Sequence, residues 1–143
     1  MYGHKSFLRL GPLEDSSIQG LFKESFEMSS CSYRFSQGVD ANGKAQTDVH
    51  GGTIYATYPN VPPADMIEWA LKSNIYKDGA IVICDSDDMP LEKVKFENAA
   101  CISMEISYIQ KGKASSITKF TIQAKSISVG STKLENRWPG FNK

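Results

Sequence analysis

The sequence predicts a mainly β protein, a small antiparallel β-barrel or sandwich with one short α-helix packed on its side or end. Three observations lead to this prediction. Apolar and polar residues alternate over long stretches, as they do in strands that have two different faces. The alternation changes phase at two places, which predicts β-bulges that bend a sheet towards closure. One segment has the apolar spacing of an amphipathic helix.

The longest predicted strands cover Val94–Tyr108 and Ile117–Val129. Lys111-Gly112-Lys113 lies between them and is typical of a hairpin tip, because glycine supplies the positive φ that tight turns need. We therefore expect these two strands to pair antiparallel. One face of the first strand is predicted to hold Val94, Phe96, Ala100, Ile102, Met104, Ile106 and Tyr108.

Four shorter strands are predicted, at Lys5–Leu10, Thr53–Tyr58, Ala80–Cys84 and Leu91–Phe96. Lys77-Asp78-Gly79 is interpreted as the turn before the third of these strands. Ile81-Val82-Ile83 is apolar without alternation, so both faces of that strand should be covered.

The two phase changes are predicted at Ser29-Ser30 and near Lys125–Ser126. Before the first of them the apolar residues fall on even positions, and after it they fall on odd positions. Each change needs one extra residue in the strand, and two bends of this kind favour a barrel over a flat sheet.

The predicted helix opens at Pro62-Pro63-Ala64-Asp65 and ends near Ser73–Asn74. Proline in the first turn and an acidic residue near the positive end of the helix both favour this start. Met66, Ile67, Ala70 and Leu71 form an apolar stripe, with Trp69 at its edge.

Composition limits the classes of function. The chain has 143 residues, which suits one domain, and its 16 Lys and Arg residues balance 16 Asp and Glu residues. Phosphate binding depends on excess positive charge, so the balance argues against a nucleic-acid partner. Zero net charge also favours association between copies.

The N-terminal segment MYGHKSFLRLGP has no apolar run of signal-peptide length, and no stretch has the ~18 apolar residues of a membrane span. We expect synthesis in the cytoplasm, no membrane insertion, and any export to proceed without a signal peptide. Cys31, Cys84 and Cys101 are odd in number and widely spaced, so free thiols in a reducing compartment are predicted.

Catalytic and metal-binding motifs are missing from the sequence. His4 and His50 are the two histidines, and no GxSxG, CxxC, HExxH or phosphate-loop motif occurs. Asp85-Ser86-Asp87-Asp88 departs from a calcium loop at the glycine and at the closing glutamate. We therefore predict no enzyme activity, no cofactor and no metal. Trp69 and Trp138 could stack on a ligand, but packing is the favoured interpretation.

Ser36–Gly52 has no apolar periodicity, and a connection of this length is usually functional or disordered. Asn42-Gly43 could form a tight turn within it. We interpret this loop as a contact to an adjacent subunit or ring, with these candidate residues: Asp40, Asn42, Gly43, Lys44, Asp48, His50 and Gly51.

Several segments, in unbroken order from about Ser30 to Trp138, resemble the Hcp (TssD) tube proteins of type VI secretion systems, in particular the Bacteroidetes type. They are SCSYRFSQ and DANGK (30–44), GGTIYATY (51–58), IEWAL (67–71), KDG (77–79), LEKVKFENAACISMEISY (91–108), FTIQAKSISVG (120–130) and ENRW (135–138). Two departures are an apparent insertion at Gly11–Gly20 and the stretch Ala45–Asp48, where a more basic, proline-containing sequence is expected.

The resemblance implies a single Hcp-like tube domain over residues 1–143, with 36–52 as an extended loop and 139–143 as a C-terminal tail. It also implies hexameric rings that stack into a hollow tube. A contractile sheath would surround the tube, a spike protein of the VgrG type would cap it, and the lumen would carry effector proteins to another cell.

Two alternatives stay open at this point. A small β-barrel can bind an apolar ligand in its interior. An enzyme with a Cys-His pair is also compatible with the sequence, because such partners meet only in the fold.

Overall fold

The computed structural model describes residues 4–11, 25–37, 41–44, 50–87, 89–110 and 115–136. These residues form eight strands and one helix: β1 Lys5–Leu10, β2 Phe26–Met28, β3 Ser30–Ser36, β4 His50–Tyr58, α1 Ala64–Leu71, β5 Lys77–Cys84, β6 Pro90–Ile109, β7 Ser115–Val129 and β8 Thr132–Glu135. The strands build one curled antiparallel sheet in the order β2-β1-β5-β6-β7-β4-β3, and β8 pairs with β7. The predicted mainly β class with a short helix is confirmed.

The two ends of the sheet are joined by one bent segment. Ser29 separates β2 from β3 and donates its N–H to the carbonyl of Thr57 at 2.7 Å. Before this bend the chain pairs with β1, and after it the chain pairs with β4. The phase change predicted at Ser29-Ser30 is therefore real, and its cause is a change of pairing partner.

The core lies inside the curl of the sheet, and α1 packs onto β6. Met66 and Trp69 are buried, and the Trp69 indole N–H donates to the carbonyl of Ala99 at 3.0 Å. The prediction that Trp69 lies at the edge of the stripe and Leu71 within it was wrong, since Leu71 is 78% exposed. The indole covers more apolar area and finds a buried acceptor, so it takes the inward position. The helix also ends at Leu71, because Lys72 is already extended.

β5 is buried on both faces, as predicted. Ile81 lies in the main core, whereas Val82 and Cys84 pack with Phe7 in a second cluster on the opposite face. The predicted turn at Lys77-Asp78-Gly79 was wrong, because these residues belong to β5, where the single residue Asp78 lies opposite two residues of β6, Glu97 and Asn98.

Two details explain why Lys77-Asp78-Gly79 continues the strand and does not form a turn. A side chain at Gly79 would collide with the carbonyl of Arg9 and the ring of Phe96, so the glycine serves close strand packing. The Asp78 carboxylate accepts the backbone N–H of Asn98 at 2.9 Å, which fixes β5 to β6 at this irregularity.

β6 and β7 pair antiparallel from Val94 opposite Val129 to Ile109 opposite Ser115, as predicted. The predicted apolar face of β6 was wrong in its middle, where Ala99 and Cys101 are buried and Ile102 is 60% exposed. Asn98 has a positive φ of 53° and shifts the phase. Ile102 is then an extra residue in the pairing with β7, which restores the original phase for Met104 and Ile106.

The phase change predicted near Lys125–Ser126 is present, since Ala124 and Ile127 are both buried. The pairing with β6 stays in register there, because Ala124 and Ile127 lie opposite Ala99 and Phe96, which are displaced in the same way. β8 was not predicted. The Lys111–Lys113 hairpin tip and Trp138 lie outside the described residues.

Candidate subunit interface

Half of the sheet carries a polar outer face. Strands β3, β4, β7 and the second half of β6 direct Ile54, Ala56, Phe120 and Ile122 into the core. The residues between them form rows on the opposite face, because the strand registers are aligned. One row is Ser30, Thr57, Lys119 and Glu105, and the next is Ser32, Tyr55, Thr121 and Ser103.

This polar face, formed by the two rows, contains an open depression of about 410 Å³. Most of its polar groups are the hydroxyls of serine, threonine and tyrosine, and the charged side chains that line it are Glu105 and Lys119, which lie opposite each other. The depression thus presents a hydrated, nearly neutral surface. The interior of the curl, by contrast, is filled by large side chains such as Trp69, Phe96 and Ile54, which disfavours a ligand inside the barrel.

Both edges of this four-stranded sheet are open within the described part of the chain. β3 pairs on one side only, with β4. The pairing of β6 with β5 ends at Ala99, so residues 100–109 pair with β7 alone. Tyr108 is 72% exposed on the second edge. An open edge presents unpaired N–H and C=O groups that template a further strand.

The predicted contact loop is shorter than expected, because Ser36 belongs to β3 and His50, Gly51 and Gly52 belong to β4. Asn42, Gly43 and Lys44 are exposed in a turn where Gly43 has a φ of 81°. Asp40 and Asp48 lie outside the described residues. The structure therefore places Asn42, Gly43 and Lys44 together and puts His50 in the sheet, paired with Ser36.

Gly51 has a packing role at the base of this loop. A side chain there would collide with Phe35 and Leu134. Its carbonyl accepts from the Asn136 side chain at 2.8 Å and from the Gln123 side chain at 3.2 Å, and Asn136 also donates to the Ala124 carbonyl at 3.0 Å. The sequence did not predict the role of Asn136. A single polar residue gives no sign in the sequence that its side chain bonds to two backbone carbonyls.

The cysteines are free and lack the features of nucleophiles. Burial raises the pKa of the Cys31 thiol to about 11 and also raises the pKa of Cys101, while Cys84 is buried. Neutral thiols do not attack substrates, so the Cys-His alternative loses its support.

The Asp85 segment is a turn, because the Asp85 carboxylate accepts the N–H groups of Asp87 and Met89 at 2.9 and 3.0 Å. Across the described ranges, no group of three or more His, Cys, Asp or Glu residues is arranged to hold a metal ion. A helix long and apolar enough to cross a bilayer is also missing from the residues that the structure covers.

Comparison with known proteins identifies the family. The family model for the hemolysin coregulated protein Hcp (TssD) matches residues 2–139. Among curated protein sequences, none matches the chain.

Solved structures share the fold. Hcp1 from Flavobacterium johnsoniae is 21% identical with a TM-score of 0.75, and the match covers 92% of this chain and 98% of that one. Hcp1 from Salmonella typhimurium is 11% identical with a TM-score of 0.67, covering 92% and 91%. The sheath–tube complex of the PVC extracellular contractile injection system contains a chain that is 16% identical with a TM-score of 0.53, covering 89% and 88%. The chain therefore belongs to the Hcp (TssD) family of structural tube proteins, which confirms both the predicted family and the prediction that it is not an enzyme.

Proposed function

We propose that copies of this chain close into rings, and that the rings stack into the hollow inner tube of a type VI secretion system. The observation that carries this proposal is the four-stranded sheet formed by β3, β4, β7 and β6. One of its faces packs on the core, the other is polar, and both of its edges are open among the residues that the structure describes.

Ring closure satisfies the open edges. Each copy has one edge on β3 and a different edge on β6, so the contact joins two unlike surfaces head to tail, as cyclic rings require. The four strands alternate in direction, which makes β3 and β6 of one copy antiparallel. A simple rotation therefore continues the antiparallel alternation across every joint.

The polar face is the proposed lining of the lumen. Its hydroxyl-rich surface with the facing charges of Glu105 and Lys119 stays wet and binds passing proteins weakly. The core and α1 then lie on the outer side of the wall. Such a lumen suits the carriage of folded effector proteins.

Family membership supports the remaining parts of the proposal. We propose hexameric rings, a contractile sheath around the tube and a VgrG-type spike at its end, with delivery that needs no signal peptide. The likeness to a chain in a sheath–tube complex supports the sheath contact.

The loop between β3 and β4 is proposed to contact the adjacent ring through Asp40, Asn42, Gly43, Lys44 and Asp48. Replacing residues 40–49 by a short Gly-Ser linker leaves the paired residues Ser36 and His50 in place. We expect rings of normal mass from this variant and no long tubes in electron micrographs. Long tubes of normal stability would exclude the loop from stacking.

Light scattering coupled to size exclusion tests the ring itself. We expect a discrete particle several times the 15.8 kDa mass of the chain. A monomer at every concentration would overturn the proposal and would favour a solitary ligand-binding barrel.

A further inference from the structure

We propose that neighbouring copies join by pairing Ser103–Ile109 of β6 with Ser30–Ser36 of β3 in the next copy, in a register that places Glu105 opposite Arg34. We call this joint the seam. The proposal rests on the proposed ring and adds which residues meet in it. Three independent observations fix the register.

The first observation is the length of the two open edges. β3 has seven residues, Ser30–Ser36, and its one partner strand among the described residues is β4. On β6 the edge is free after Ala99, but Ile102 is an extra residue that interrupts regular pairing. The regular free edge is therefore Ser103–Ile109, which has the same length as β3. A register without stagger, with Ser30 opposite Glu105, would bring Ser36 against Ala99, where β5 already pairs.

The second observation is charge. Arg34 and Glu105 are both exposed on the polar face, one on each edge. Neither forms a salt bridge with another residue in the described part of the chain. Opposite charges that face each other across antiparallel strands stabilise the pairing, and like charges oppose it. In the proposed register the two charges meet at every seam.

The same register also matches the apolar side of the seam. Met104, Ile106 and Tyr108 line the core-facing side of the β6 edge. They fall opposite Phe35, Tyr33 and Cys31 of the next copy. Tyr108 and Phe35, which are exposed in the isolated chain, both gain an apolar neighbour.

The third observation is the direction of the stagger. Thr57 points its side chain to the polar face and its carbonyl to the N–H of Ser29 on the β3 side. For L-residues, this places β3 to the right of β4 when the polar face is viewed with β4 running upward. Barrel strands tilt in one sense because strands twist in one sense. The row through Ser30 and Glu105 runs perpendicular to the strands. With the polar face inward, the tilt means that this row, extended past Glu105, does not reach Ser30 of the next copy. It reaches β3 of that copy at a residue after Ser30, in the direction of Arg34.

The size of the stagger agrees with the strand tilt of closed barrels. A shift from Ser30 to Arg34 over the four strands corresponds to a tilt of about 35°, at about 3.3 Å per residue and about 4.8 Å between strands. Closed barrels have strand tilts of about 35–45°.

Disulfide trapping tests the register. In a Cys31→Ala background, the double variant Arg34→Cys with Glu105→Cys is oxidised and analysed on a non-reducing gel. Directly opposite residues in an antiparallel pair have Cα atoms about 4.5–5.5 Å apart, which a disulfide can span. Within one copy the two positions are separated by three strand spacings, about 14 Å, so every cross-link joins two copies. The matched control is Ser30→Cys with Glu105→Cys, which tests the unstaggered register.

We expect a ladder of covalent oligomers that ends at the ring mass for the first pair, and monomer for the control. Light scattering of the reduced variants distinguishes a wrong register from the absence of a ring. If the particles are rings and the control pair alone cross-links, or neither pair does, the register is wrong and the ring stands. If the reduced protein is monomeric at every concentration, the ring and the seam both fall.

Discussion

The two halves of the sheet differ in how many of their faces are buried and in whether their edges are paired. In the half formed by β1, β5 and the start of β6, residues on both faces of β5, such as Ile81 and Val82, are fully buried. In the half formed by β3, β4, β7 and the rest of β6, the described residues bury one face, and they leave the edges at β3 and β6 open. The first half is covered on both faces within one chain, whereas the second half is where we propose that another copy binds.

The largest effect is expected where the helix anchors the core. Trp69→Ala removes a buried indole and its hydrogen bond to Ala99, and we expect a loss of about 3–5 kcal/mol in the free energy of unfolding. Urea titration at a fixed protein concentration measures it. Leu71→Ala is the control on the same helix, and its exposed side chain should change stability by less than about 0.5 kcal/mol. Equal effects would contradict the observed orientation of the helix.

The open half is tested by a change that spares the fold. Tyr108→Arg should weaken ring closure by about 1.5–3 kcal/mol per contact, because the aromatic ring is buried only when copies meet. Analytical ultracentrifugation over a dilution series measures the dissociation. Leu71→Arg has a similarly exposed side chain outside the seam, so its rings should be unaffected. Unchanged rings with Tyr108→Arg would remove Tyr108 from the interface.

A reciprocal exchange contrasts the two halves directly. Val82→Thr places a hydroxyl in the buried cluster with Cys84 and Phe7, and we expect a loss of about 1–3 kcal/mol. Thr121→Val on the polar face should stay within about 0.5 kcal/mol. Both variants are made in the Tyr108→Arg background, in which we expect the rings to dissociate. Chemical denaturation then measures the stability of the single chain. A larger loss for Thr121→Val would reverse the comparison.

The smallest expected effect depends on pH and concerns a hydrogen bond between the two halves of the sheet. The Tyr33 hydroxyl donates to the Glu92 carboxylate at 2.8 Å, and burial together with this bond raises the pKa of Tyr33 to about 12. The unfolded chain ionises near pH 10, so this stabilisation is complete below pH 10 and is lost as the pH rises towards 12. Tyr33→Phe should cost about 0.5–1.5 kcal/mol at neutral pH.

The variant should also lose less stability between pH 10 and 12 than the parent does. Denaturation curves at several alkaline pH values, in the same dissociated background, show the difference. A parallel decline in both proteins would mean that the Tyr33 hydroxyl does not hold the two halves together.

Local patterns predicted much of the fold. The period of two located β1 and most of β4, β6 and β7, and the apolar run at Ile81-Val82-Ile83 indicated β5 as a strand covered on both sides. The helix was found from its proline start and apolar stripe. These features depend on neighbouring residues, so a single sequence contains them.

Features that depend on distant pairing were not predicted. Ile102 has the right residue type for the core, but the bulges at Asn98 and Ile102 turn it outward. Gly79 resembles a turn residue, yet its lack of a side chain accommodates Phe96. The positions of the open edges were not predicted for the same reason, because the end of the β5 pairing at Ala99 is a property of two strands.

Electron cryomicroscopy of the assembled particle tests the central claim most directly. We expect a closed ring whose inner wall is a continuous antiparallel sheet, with the second half of β6 in each copy hydrogen-bonded to β3 of the next. Separate molecules, or rings whose neighbours meet through other surfaces while β3 and β6 stay open, would contradict the account.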